Sequence, residues 1–238
     1  STRHGARHAA HIITDSEATR KDLIDHYHTN PTRISVIYPG FDPTPFATAP
    51  GAHALTDLPE TFLLHVGTLQ PRKGLSFLLE ALAALRNHTA RPTLVCAGRY
   101  GWMTAPIMRQ VEKLRLEKHV YFLDYVSHEQ LAALYRQASM LVLPSLYEGF
   151  GFTPLESMAA GTPVICSRAG SLPEVVGDAA LTVPAGDTAA LVAAVRRLLD
   201  ESDLRRQLVT SGLERCRQFP WQRSAEQTLT VLERAFQL

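Results

Sequence analysis

What this sequence lacks narrows it first. No uninterrupted apolar stretch approaches the roughly 18 residues needed to cross a membrane as a helix, so no span is expected. Cysteine is scarce: Cys96, Cys166 and Cys216 are widely spaced and odd in number. Such a set offers neither a disulfide framework nor a zinc site. Cys96 and Cys166 fall in strand-like runs and are expected to be small buried hydrophobes, which suits a reduced, cytoplasmic setting. Neither sign of charge is in excess, since 24 Lys and Arg against 23 Asp and Glu leave a net +1. A nucleic-acid partner therefore has no support. No Asp-x-Asp stands at a strand end. His4, His8 and His11 share helical spacing, but without a carboxylate or cysteine beside them they read as a solvated helix face rather than a metal site. Ser1-Thr2-Arg3-His4 leads into no apolar core, so no secretion signal is expected. A first residue other than Met suggests a sequence that starts inside a longer protein.

What is present has the make-up of a globular α/β protein, 45% apolar and 20% charged over 238 residues. That length allows one large domain or two small ones. Residues 11–15 read as a strand, Ser16 as the cap of a helix to Tyr27, and residues 33–38 as a second strand. Pro39, Pro43, Pro45, Pro50 and Pro59 then mark a linker. Beyond it strands and helices alternate. Strand-like runs occupy 62–66, 93–97, 120–123, 140–143, 164–166 and 181–183. Between the first two, Leu75, Leu78, Leu79, Leu82 and Leu85 keep helical spacing. Ser127 and Gln130 have capping-box spacing, and Asp187 precedes a helix to Leu199. This alternation predicts a doubly wound parallel sheet, which binds ligands at the carboxyl ends of its strands. Gly67, Gly98, Pro144 and Ala169 all follow strands, so their loops should converge on one crevice.

The run Glu148-Gly149-Phe150-Gly151-Phe152-Thr153-Pro154-Leu155-Glu156 is the most informative stretch. It follows a strand and opens a helix, which points backbone N–H groups and the helix dipole at an anion. Its two carboxylates can accept hydrogen bonds from neutral hydroxyls. A ligand with phosphates and many hydroxyls, such as a nucleotide sugar, meets both needs.

Glu148-x7-Glu156 in this setting resembles the signature of the retaining GT-B glycosyltransferases of family four. The resemblance extends to Val66-Gly67-Thr68-Leu69-Gln70-Pro71-Arg72-Lys73-Gly74, Ala97-Gly98-Arg99, Gly170-Ser171-Leu172-Pro173-Glu174-Val175 and His11-Ile12-Ile13-Thr14-Asp15-Ser16. It implies a Rossmann-like, nucleotide-sugar donor-binding domain over 61–220, the C-terminal domain of the GT-B fold. It further implies a remnant of an N-terminal acceptor domain over 1–38, a linker over 39–60, and a closing helix over 221–238 that crosses back. The chain alone is expected to be inactive.

The same resemblance assigns roles. Arg72 and Lys73 would grip the donor diphosphate and stabilise it as it leaves; the bland alternative is two solvated cations near a helix start. Glu148 would meet the transferred sugar, aided by the N–H groups of Phe150, Gly151 and Phe152 beside Gly149. Glu156 carries two readings: acceptor for ribose hydroxyls, or partner of Thr153 in a capping box with Pro154 at the first helical position. Gly67 would let phosphates approach the backbone, and Gly98, Tyr100 and Val126 would border the base, although Tyr100 equally suits a loop aromatic. No cofactor is expected, because in this family cations and a helix terminus replace a metal ion. The implied reaction is retaining transfer of a hexosyl group, mannosyl or glucosyl favoured, from a nucleoside-diphosphate sugar to an acceptor glycan, lipid or small molecule. Peripheral membrane association through an N-terminal half is also implied. A non-catalytic nucleotide-sugar-binding module, or another GT-B enzyme such as a phosphorylase or epimerase, stands as the alternative.

Overall fold

The computed structural model describes residues 2–47, 58–102 and 104–236. Its centre is a six-stranded parallel sheet made of β3 (Phe62–Val66), β4 (Thr93–Ala97), β5 (Val120–Phe122), β6 (Met140–Leu143), β7 (Val164–Ser167) and β8 (Leu181–Val183). The strand order is β5-β4-β3-β6-β7-β8. Strands β4, β6 and β7 are almost uninterrupted apolar runs because helices cover both sheet faces. One apolar core, with Phe62, Leu64, Val95, Leu141 and Leu143, lies on one face. The other face buries Leu63, Leu94, Cys96, Val142 and Ile165. All three cysteines are free and buried, as expected for Cys96 and Cys166.

The covering helices are α4 (Leu75–Ala84), α5 (Ala105–Lys113), α6 (His128–Gln137), α7 (Phe152–Ala159), α8 (Leu172–Val176), α9 (Thr188–Asp200) and α10 (Ser202–Cys216). Leu75, Leu78, Leu79 and Leu82 of α4 are all buried, the stripe their spacing predicts. The Ser127 capping box closes from both sides, at 3.2 Å to Gln130 N and 2.9 Å back to Ser127 N. Asp187 caps α9 through Ala190 N at 2.9 Å.

A smaller unit precedes this one. It comprises α1 (Thr2–His8), β1 (Ile12–Thr14), α2 (Glu17–Tyr27) and β2 (Ile34–Val36), with β1 and β2 paired in parallel. Ser16 caps α2 as predicted, accepting from Thr19 N at 3.0 Å. Part of the predicted linker, residues 48–57 with Pro50, lies outside the described residues. Residues ahead of it pack firmly: α3 (Thr44–Ala47) forms there, and Phe41 and Phe46 join the main core. The last helix, α11 (Trp221–Phe236), lies beside β2. Ser35, Val36 and Ile37 share a cavity of about 200 Å³ with Gln227, Thr230, Val231 and Arg234.

One local expectation is corrected. Helix α7 starts at Phe152, capped by Gly151 with φ +92° and no side-chain cap. Glycine tolerates this left-handed turn, so the chain enters the helix two residues before Pro154. Thr153 is then already inside the helix, and no capping box with Glu156 forms.

Candidate functional site

The strand order reverses between β3 and β6, whose connections leave in opposite directions and open a crevice at their carboxyl ends. Both charged motifs sit at that point. The loop after β3 carries Arg72 and Lys73 on a short 3-10 turn (Pro71–Lys73), and the loop after β6 carries Glu148. Lys73 Nζ donates to Glu148 Oε1 at 2.8 Å, and Arg72 Nη1 donates to Oε2 at 2.9 Å. Ser145 Oγ adds a third bond to Oε1 at 2.6 Å. Arg72 also reaches the Tyr147 carbonyl.

The Glu148 side chain is 9% exposed, Lys73 13% and Arg72 39%, so the carboxylate is the deepest member of the trio. Burial alone would raise the Glu148 carboxyl. The hydrogen bonds of Lys73, Ser145 and Arg72 outweigh burial and hold it below the usual carboxylate range. The solvated-cation reading of Arg72 and Lys73 therefore fails for Lys73, which is largely enclosed and ion-paired.

The backbone of this loop is held as closely as the carboxylate. The Glu148 carbonyl accepts from Ser171 N and Oγ, both at 3.1 Å, and Ser171 Oγ also reaches Phe150 O at 2.6 Å. Gly170, at φ +53°, permits that approach: a Cβ there would lie 2.2 Å from the Glu148 carbonyl oxygen. From the N-terminal unit, Ser16 Oγ donates to Gly149 O at 2.7 Å. Phe150 is buried against Tyr38, Phe152 and Phe219. Among the described residues, no hydrogen bond engages the N–H groups of Gly149, Phe150, Gly151 or Phe152. Four donors thus remain at the start of α7.

Glu156 lies one turn into α7. Tyr135 of α6, fully buried, donates its hydroxyl to Glu156 Oε2 at 2.7 Å. Burial holds the Glu156 carboxyl above the usual range, against the opposing influence of Tyr135 and His128.

Gly67, Gly98 and Val126 line one cavity of about 190 Å³ with Val66, Ala97, Tyr125, His128 and Leu131. Tyr100 is not among its walls. It pairs as an isolated bridge with Leu69, is half exposed, and sets its ring 6.2 Å from Phe122. A second, larger cavity of about 590 Å³ lies along the seam between α2 and α8, lined by residues that include Glu17, Tyr38, Pro173 and Glu174.

Sequence reasoning missed Ser145, Ser171, Tyr135 and His128. In sequence Ser145 is a serine just after a strand and Tyr135 an aromatic within a helix, with nothing that marks either for a site. Only their partners in the folded chain distinguish them: Glu148 for Ser145, the Glu148 and Phe150 carbonyls for Ser171, and Glu156 for Tyr135. Among the described residues no three His, Cys, Asp or Glu gather as metal ligands, and no helix is long and apolar enough to cross a membrane.

The strand order and the crevice at its switch point define a doubly wound α/β ligand-binding domain. Residues 53–215 match the family model of Glycosyl transferases group 1, and residues 1–45 match that of Glycosyltransferase Family 4. The chain belongs to the group 1 glycosyl transferases, of the GT-B type.

It is 38% identical over 171 residues to O-antigen chain mannosyltransferase B of Escherichia coli, covering 71% of this chain and 45% of that protein. It is 34% identical over 232 residues to a D-inositol 3-phosphate glycosyltransferase of Corynebacterium glutamicum (strain R), covering 91% and 55%. The chain thus spans about half the length of the curated relatives it matches. Sucrose-phosphate synthase from Thermosynechococcus elongatus superimposes with a TM-score of 0.86 at 29% identity, over 99% of this chain and 60% of that one. Anabaena HepE, solved with UDP and glucose, superimposes with a TM-score of 0.86 over 96% of this chain and 64% of that one; at 22% identity it bears on the fold alone.

Proposed function

We propose that this chain builds the donor site of a retaining glycosyltransferase that moves a hexosyl group, mannosyl or glucosyl, from a nucleoside-diphosphate sugar to an acceptor hydroxyl. The observation that carries this reading is the convergence of Arg72, Lys73 and Glu148 at the switch point, beside unpaired N–H groups at the start of α7. Cations and N–H donors suit a diphosphate, and a fixed carboxylate suits sugar hydroxyls. The cavity at Gly67, Gly98 and Val126 is walled mainly by apolar surface and suits a planar base. Glu156 would accept from the ribose.

In the reaction the acceptor oxygen attacks the anomeric carbon on the face that the diphosphate leaves. The carbon–oxygen bond to phosphate breaks, and the acceptor proton passes to a phosphate oxygen. No protein nucleophile is needed, and Arg72 and Lys73 stabilise the charge that builds on the leaving group. The acceptor, whether glycan, lipid or small molecule, would approach from the side of the N-terminal unit. Three buried free thiols suit a reducing, cytoplasmic setting.

Calorimetry with UDP, GDP and ADP tests the reading. One of the three should bind the wild-type chain, and Arg72→Ala or Lys73→Ala should weaken it on the order of 10-fold or more, as expected for lost charge-assisted hydrogen bonds. Failure of all three to bind, or binding indifferent to both substitutions, overturns it.

A further inference from the structure

Tyr135 is an unusual way to fill a core. Its ring sits fully buried between α6 and the rest of the main unit, with the edge of Phe46 at 5.9 Å between ring centroids. Phenylalanine would supply the same apolar bulk. Instead the hydroxyl is kept, and it is spent on a carboxylate, 2.7 Å away at Glu156 Oε2. A buried hydroxyl needs a partner, but a carboxylate is a costly one to bring in from water for that purpose alone. The economical reading runs the other way: the hydroxyl serves the acid.

What the hydroxyl does follows from which oxygen it takes. Oε2 is engaged, and Oε1 has no donor among the described residues. Rotation of the carboxylate would break the short bond to a side chain that is itself locked by packing. Its backbone is tied too, since Thr162 Oγ1 donates to Tyr135 O at 2.5 Å. His128 and Leu131 of α6, the helix that carries Tyr135, wall the cavity that Gly67, Gly98 and Val126 line. The Tyr135 bond thus ties Glu156 to the helix that walls that cavity.

We propose that Tyr135 is a positioning residue of the donor site: it pins Oε2 of Glu156 so that Oε1 is presented, in one orientation, to the ribose hydroxyls of a nucleoside diphosphate. The inference rests on the role given to Glu156 above and adds to it a residue that touches no ligand.

The test is a cycle measured by calorimetry on the whole chain. The probes are whichever of UDP, GDP and ADP binds wild type, and its 2′,3′-dideoxy counterpart. The variants are Tyr135→Phe, Glu156→Ala and the pair. Tyr135→Phe should weaken the ribonucleotide about tenfold, within the range for a hydrogen bond involving a charged group. It should barely affect the dideoxy form, and it should have no effect once Glu156 is alanine. Equal losses for both ligands, an undiminished loss in the Glu156→Ala background, or no loss at all would make Tyr135 a core residue only.

Should the phenylalanine variant not fold, the wild-type protein still decides. The buried Tyr135 hydroxyl proton should shift in the NMR spectrum on adding the ribonucleotide and stay put with the dideoxy form; no difference between the two overturns the proposal. The failures are separable. No binding by wild type removes the donor-site reading as a whole. Binding that Glu156→Ala leaves intact removes this inference and the ribose role while Arg72 and Lys73 keep theirs.

Discussion

Glu148 holds both cations of the crevice, and an anion brought to Arg72 and Lys73 must share them with it. A buried carboxylate and a diphosphate in one place repel, and like charges set together in an interface are costly. Glu148→Gln keeps the shape of the side chain and removes that charge. It should tighten nucleoside-diphosphate binding about tenfold, a modest share of such a penalty, while sugar transfer by a full-length protein carrying the change falls; weaker binding would contradict this account. His65 of β3 is a second residue whose chemistry the fold dictates. It is fully buried, its Nδ1 lies 3.1 Å from Val142 O, and its Nε2 has no hydrogen-bond partner among the described residues. Burial lowers its pKa from 6.5 to about 4. The unfolded chain therefore takes up a proton before the folded one does. The stability owed to a neutral His65 is full above pH 6.5 and drains away as pH falls toward 4, about 3 kcal/mol across that window. His65→Leu should flatten this limb of a denaturation–pH profile; an unchanged slope would show that other groups set it. Arg72, Lys73 and Glu148 could be singled out in the sequence because each lies in a loop that follows a strand and within a motif that the family resemblance carries. Ser145 and Ser171 were not, since a serine after a strand has no grammar that names a partner.

Among the elements, α7 shows where local grammar misleads. Thr153, Pro154 and Glu156 form a plausible start signal, yet the helix begins earlier because Gly151 takes a conformation open to few other residues. The sequence shows the glycine but not its φ. By contrast Ser16, Ser127 and Asp187 cap their helices as read, because each is itself in extended backbone and its side chain accepts from an N–H of the first turn. Glycines that seat one loop on another give an element-scale prediction. Gly170→Ala would set a Cβ 2.2 Å from the Glu148 carbonyl oxygen, so the two loops must part. Left-handed strain and overpacking together should cost about 3 kcal/mol. Gly161→Ala also carries a positive φ, +77°, but its Cβ meets nothing closer than Val209 Cγ1 at 4.0 Å. It should lose only about 1–2 kcal/mol of strain energy. Thermal melts of the two variants compare them directly, and equal losses would mean that loop contact adds nothing to strain.

At the scale of the whole molecule, the alternation of strands and helices made the parallel sheet and its crevice legible. The grip between the two units was not, because it joins residues far apart in sequence. Glu174 of α8 accepts from Glu17 N and Ala18 N, both at 2.9 Å, and from the Tyr38 hydroxyl at 2.8 Å. A carboxylate from the main unit thus caps the N-terminus of α2, where orphan N–H groups and the helix dipole both favour negative charge. Tyr147 donates to Asp22 at 2.6 Å and Ser16 to the Gly149 carbonyl, so the same seam touches the loop that carries Glu148. Glu174 supplies three of the hydrogen bonds across this seam. Glu174→Ala should therefore loosen α2 on the main unit without unfolding the sheet. In hydrogen exchange the amides of Glu17 and Ala18 should lose protection, and proteolysis should reach residues 12–38 sooner. Amides of β3, β6 and β7 should exchange as before. Glu174→Gln, which retains one carbonyl acceptor for the two N–H groups, should fall between alanine and wild type. Unchanged exchange at Glu17 and Ala18 in the alanine variant would show that the units are held by something other than this cap.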